Sequence, residues 1–121
     1  MAFQSPAAGY AEHRINLGDL VTLSPHSTYF LRSGSDYPDA GIVKGSLLAV
    51  DRGLIPKDRQ IVIAEVDNEL AIRRLLLTPA PALQELSGDC PITQLDSGDL
   101  PVWGVVAYSL TDLAGLGFKE I

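Results

Sequence analysis

The chain has 121 residues, 46% of them hydrophobic and 20% charged. That is enough apolar material for one domain with a single core, and too little charge for a disordered chain. The net charge of −6 (nine Lys and Arg against fifteen Asp and Glu) repels phosphate backbones and argues against direct nucleic-acid binding. Arg73-Arg74 is the one adjacent pair of basic residues, which is no electrostatic footprint. Cys90 is the lone cysteine, so neither an internal disulfide nor a cysteine-based zinc site can form. The first ten residues carry no basic segment and no long apolar segment, unlike a secretory signal. No apolar run approaches the roughly 20 residues of a membrane helix. These features predict a cytoplasmic protein without membrane attachment.

Residues 1–13 are small and polar, with Pro6, Ala7, Ala8 and Gly9, and read as an extended arm. Asn16 is a plausible N-cap for a short helical turn lined by Ile15, Leu17, Leu20, Val21 and Leu23, which Ser24-Pro25 would stop. From Thr28 onward the pattern is β. Strands are predicted over 28–32, 46–51, 59–66, 69–77, 83–86, 92–95 and 101–110, from their β-branched and aromatic content. Asp67-Asn68, Ser87-Gly88-Asp89 and Asp96-Ser97-Gly98-Asp99 read as turns, and Thr78-Pro79-Ala80-Pro81 as a break. Residues 111–121 read as a loose, Gly-rich tail. The expected fold is compact and mostly β, a sandwich or open barrel with at most one or two short helices. Periodicity alone names no function.

Five segments in register carry a resemblance. They are Phe3-Gln4-Ser5-Pro6-Ala7-Ala8-Gly9-Tyr10, then Ser24-Pro25-His26-Ser27-Thr28-Tyr29-Phe30, then Gly41-Ile42-Val43-Lys44-Gly45-Ser46-Leu47-Leu48-Ala49-Val50-Asp51. Ile61-Val62-Ile63-Ala64-Glu65-Val66-Asp67 and Val102-Trp103-Gly104-Val105-Val106 complete the set. Together they resemble the self-cleaving UmuD and LexA family, over almost the whole chain. The first segment resembles the start of the UmuD core just after its cleavage point, the processed form, so no cleavable arm is expected here.

The resemblance implies a Ser/Lys dyad. The family's serine lies in Ser-Gly-Asp-Ser-Met just after the first core strand, and its lysine lies on the second strand of the hairpin. The lysine must be neutral to activate the serine, which burial achieves. This chain reads Ser33-Gly34-Ser35-Asp36-Tyr37-Pro38-Asp39-Ala40-Gly41-Ile42. Anchored on both ends, Asp36 falls on the nucleophile position and Ser35 just before it. Anchored on Val66-Asp67 and Leu75, Arg73 falls on the lysine position. A carboxylate does not replace a serine alkoxide in this mechanism, and an arginine stays charged. Lys44, Lys57 and Lys119 match no catalytic position. The expectation is therefore a degenerate dyad, Asp36 and Arg73, forming an ion pair across a dead site.

Other readings stay open. Ser35 could be the nucleophile after a shift of one residue, with His26 or His13 as base. Asp39, Asp51 and Asp67 read as cap and turn residues; no carboxylate cluster has metal spacing, and no phosphate loop exists. No cofactor and no metal is expected. Trp103 could be a core residue or an interface anchor.

The resemblance implies a non-enzymatic accessory subunit for SOS-type translesion DNA synthesis. It would pair with itself or with a UmuD-like subunit, and bind a Y-family polymerase of the UmuC kind beside a RecA filament. Val102, Trp103 and Val105 are the expected dimer surface, on the premise that their strand offers an unpaired edge. The alternatives are an active Ser-dependent peptidase and the dimerisation half of a LexA- or phage-repressor-type regulator.

Overall fold

A computed structural model describes residues 16–96 and 98–119. The chain start, with His13, Ile15 and the segment from Phe3 to Tyr10, lies outside the described residues, as do the arm expected over 1–13 and the last two residues. Seven strands follow one another: β1 (Thr28–Arg32), β2 (Leu47–Asp51), β3 (Ile61–Val66), β4 (Glu69–Leu76), β5 (Ala82–Gln84), β6 (Ile92–Gln94) and β7 (Val102–Leu110). Each coincides with a predicted strand to within two residues. The helical content among the described residues is two single 3-10 turns, Leu17–Asp19 and Pro38–Ala40. The first is capped as expected, the Asn16 side chain accepting from the Gly18 amide at 3.0 Å.

All seven strands join one antiparallel sheet in the order β1-β2-β7-β3-β4-β5-β6. Asp67 and Asn68 link β3 to β4, with φ of 52° and 66°. Both are left-handed, the geometry that a two-residue hairpin matched to strand twist demands. Two irregularities bend β7. Val50 pairs with Val106 while Ala49 pairs with Tyr108, leaving Ala107 over; Ile63 pairs with Gly104 while Ala64 pairs with Val102, leaving Trp103 over. Such bulges sharpen twist and coil a sheet upon itself. The result is apolar cores on both faces. Ile42, Leu48, Val50, Ile63, Ile72 and Leu86 form one cluster, and Val62, Ala64, Leu75, Leu83 and Val105 form the other. The central strands read as continuous apolar runs because successive side chains enter opposite cores.

Asp51 ends β2 as a buried turn-closer: its Oδ1 accepts from Ser27 Oγ and from the Gly53 amide, each at 2.7 Å. The segment after β7 differs from the loose tail expected. The Asp112 carboxylate accepts from the amides of Gly115 (2.9 Å), Leu116 (3.1 Å) and Gly117 (2.7 Å). Beyond that loop the Arg32 guanidinium stacks 5.4 Å over the Phe118 ring. A carboxylate surrounded by successive amides converts a Gly-rich stretch into a fixed loop.

Two predictions follow from this packing. A Cβ at position 104 would stand 2.7 Å from Val50 Cγ1 and 3.3 Å from Arg52 Cγ. Gly104→Ala is expected to cost about 1–3 kcal/mol in urea unfolding, against under about 0.5 kcal/mol for Gly34→Ala, where a Cβ meets nothing within 4 Å. The amides of Gly117 and Leu116 hold the Asp112 carboxyl below its ordinary value of 3.8. A depressed carboxyl stabilises the folded loop above the unfolded value and loses that effect as pH falls through the folded one. Amide-exchange protection at residues 115–117 is therefore expected to persist at pH 5, and to collapse only in solutions more acid than pH 3.8.

Candidate functional site

The chain leaves β1 at Arg32 and turns under Ser33, which is buried. The Ser33 amide donates to the Ser46 carbonyl (2.9 Å), and the Gly45 amide donates to the Ser33 carbonyl (2.8 Å). These bonds clamp the segment after β1 against the residues preceding β2. Opposite it, β5 pairs with β4 only at Arg74, Leu75 and Leu76. The other half of β4, from Glu69 to Arg73, has a strand neighbour on the β3 side alone. Between these two features lies an open cleft of about 300 Å³. Leu31, Leu48, Ile63, Leu70 and Ile72 give it an apolar floor, with Ser33, Tyr37 and Arg73 among its polar lining.

The structure divides the expected site residues. Ser33 and Arg73 line the same cleft; Asp36 and Ser35 do not. The expected ion pair between Asp36 and Arg73 is not formed. Asp36 is exposed, and its Oδ1 accepts from the Lys44 amide at 2.7 Å. The Arg73 guanidinium folds back on its own strand, Nη1 donating to the Ile72 carbonyl at 2.8 Å. A backbone donor and a backbone acceptor, each close at hand, take up the two charges locally. The one ion pair among the described residues joins Arg59 to its neighbour Asp58.

Ser33 is the hydroxyl that sequence reasoning passed over. It served as a motif anchor, although it stands first after the core strand, and that position was its available signal. Its Oγ donates to the Ser35 carbonyl at 2.7 Å, so the hydroxyl proton is committed to backbone. A nucleophile needs a base within hydrogen-bond reach, and none of the described cleft residues is a Lys, His, Asp or Glu. His26 lies in the turn ahead of β1, away from the cleft. Lys44 takes part through its main-chain amide. What remains is a shaped, half-apolar slot beside a free strand edge, suited to holding an extended chain. No group of three or more His, Cys, Asp or Glu among the described residues could hold a metal ion. No described helix is long and apolar enough to cross a membrane.

The model of the Peptidase S24-like family matches residues 1–107. The chain belongs to that family. The Peptidase S24-like assignment agrees with the UmuD and LexA resemblance of the five segments, and with the mostly β fold. Protein MucA of Salmonella typhimurium is 41% identical over 113 residues, 91% of this chain and 77% of the relative. Protein ImpA of Shigella flexneri is 41% identical over 107 residues, 88% and 74% of the two chains. Protein SamA of Salmonella typhimurium is 36% identical over 105 residues, 86% and 74%.

The expected dimer surface needs correction. β7 lies inside the sheet, and Val105 is paired on both sides, with Asp51 and with Val62; Val102 pairs with Ala64, and the bulged Trp103 has its carbonyl occupied by Arg52 Nε at 2.9 Å. Val105 is 2% exposed, in the core with Val62 and Leu75, and Val102 packs against the same cluster. Trp103 is half-buried, with the Arg52 guanidinium 4.6 Å above its ring and Tyr29 at 5.4 Å. Strand order, which decides which edges are free, is not written in a strand's own sequence.

Amide exchange separates the two fates of the charges. Asp36→Ala is expected to accelerate exchange at the Lys44 amide and to cost about 0.5–1.5 kcal/mol. Arg73→Gln should leave that amide unchanged; a paired Asp36 and Arg73 would make both variants disturb it.

Proposed function

We propose that this chain is a catalytically inactive, UmuD-like accessory subunit of SOS-type translesion synthesis, a homodimer that binds a Y-family DNA polymerase beside a RecA filament. The observation that carries the reading is Arg73. It stands where the family's lysine is expected, and its guanidinium is tied to the Ile72 carbonyl at the edge of the cleft. An arginine does not surrender its proton at neutral pH, so the cleft holds a serine that nothing activates. The similarity to MucA, ImpA and SamA supports a place among UmuD-like mutagenesis proteins. The acidic chain has no basic stripe of its own, so contact with DNA runs through the polymerase and the filament.

A pull-down from damaged bacterial cells tests the partnership. The tagged chain is expected to retain a Y-family polymerase, and equally so when Ser33 is replaced by alanine. Retention of no polymerase and no UmuD-like subunit would count against the reading.

A further inference from the structure

The face of β1, β2 and β7 that carries Phe30, Leu47, Ala49, Tyr108 and Leu110 forms an open groove of about 320 Å³. Leu17, Val21 and Leu23 make its other wall, which is tied to the sheet where the Thr22 amide donates to Tyr108 Oη at 3.0 Å. Among the described residues, none that lines the groove is charged. Its rim at Leu110 leads directly into the loop pinned by Asp112, and that loop lies past the family match, which ends at residue 107. Leu113 is 92% exposed and Leu116 is 87% exposed. A chain that fixes a loop by three main-chain bonds to one carboxylate, and uses it to hold two leucines in water, presents a ready-made apolar knob.

We propose that residues 113–117 of one copy of this chain seat Leu113 and Leu116 in the Phe30–Leu47–Ala49–Leu110 groove of a second copy, reciprocally, about a two-fold axis. The proposal rests on the homodimer reading above and names its surface. Three observations select this occupant. Loop and groove are adjoining parts of one surface, so a two-fold axis near Leu110 sets each loop against the other copy's groove, as an isologous contact requires. The loop held by Asp112 and by the stack of Phe118 on Arg32 keeps Leu113 and Leu116 in solvent, outside the lining of its own groove. Two copies each carrying a net charge of −6 repel wherever their acidic surfaces meet. The segment from Leu113 to Phe118 and the described residues of the groove lining are both uncharged, so these surfaces meet without that repulsion.

Disulfide trapping tests the contact on the full chain, with Cys90 replaced by serine. Chains carrying Leu113→Cys and chains carrying Phe30→Cys, a groove position that is 38% exposed, mixed and mildly oxidised, are expected to yield a crosslinked heterodimer. Leu113→Cys with the exposed control Lys57→Cys should yield none. In sedimentation, Leu113→Glu with Leu116→Glu is expected to weaken the dimer about thirtyfold or more. Both positions point into solvent in the isolated chain, so folding should be unaffected, which a circular dichroism spectrum checks. A dimer that persists unweakened and gives no 113–30 crosslink overturns this inference and leaves the homodimer reading standing. The contact would then lie elsewhere, for example along residues 106–110 of β7, where β3 no longer pairs. A monomer at every concentration overturns both readings. If its groove cysteine is also shielded from thiol reagents, the chain's own residues 1–15 are the occupant instead.

Discussion

Position 104 has no side chain because Val50 fills the space one would need. That approach lets β7 lie close against β2, and β7 is the strand on which the molecule is assembled. It is flanked by β2 and β3, and it feeds both cores, Val105 into one and Val106 into the other. Its bulges at Trp103 and Ala107 coil the sheet, so that among the described residues a single sheet encloses two apolar clusters without a covering helix. The cleft follows from the same arrangement. β1 reaches the sheet through β2, and β4 through β3, so the turn after β1 and the free half of β4 end up on opposite sides of one slot.

That slot separates architecture from chemistry. The Ser33 hydroxyl, the free half of β4 and the apolar floor are present, and the charged groups lining the cleft with them are Arg32 and Arg73. The carboxylate expected to pair with Arg73, that of Asp36, instead accepts from the Lys44 amide. On the proposed reading, such a site positions a chain and offers no route for the first proton transfer.

The strands were legible in the sequence because their turn residues are specific. Asp67-Asn68 can adopt two left-handed conformations in succession, and the β-branched runs on either side allow little besides extended backbone. Asn16 was legible as a cap for a similar reason, since its side chain acts within three residues. What was illegible is what depends on third parties. Val102 and Val105 look like an exposed strand until the core of Val62 and Leu75 is placed against them. Asp36 and Arg73 look like partners until the Lys44 amide and the Ile72 carbonyl are placed nearer to each. Residues 111–119 look loose until one carboxylate is seen to gather three amides. Each misreading has the same cause: local composition records preference, and long-range neighbours decide which preference is met.

The central claim is that the cleft binds without cutting. The most direct measurement is incubation of this chain with a full-length, cleavable UmuD-like protein and activated RecA filaments, followed by mass spectrometry of the products. With the substrate's own serine replaced by alanine, so that any cutting comes from this chain, no cleaved product is expected at any ratio of the two proteins. Cleavage that disappears when Ser33 or Ser35 of this chain is replaced by alanine would contradict the account.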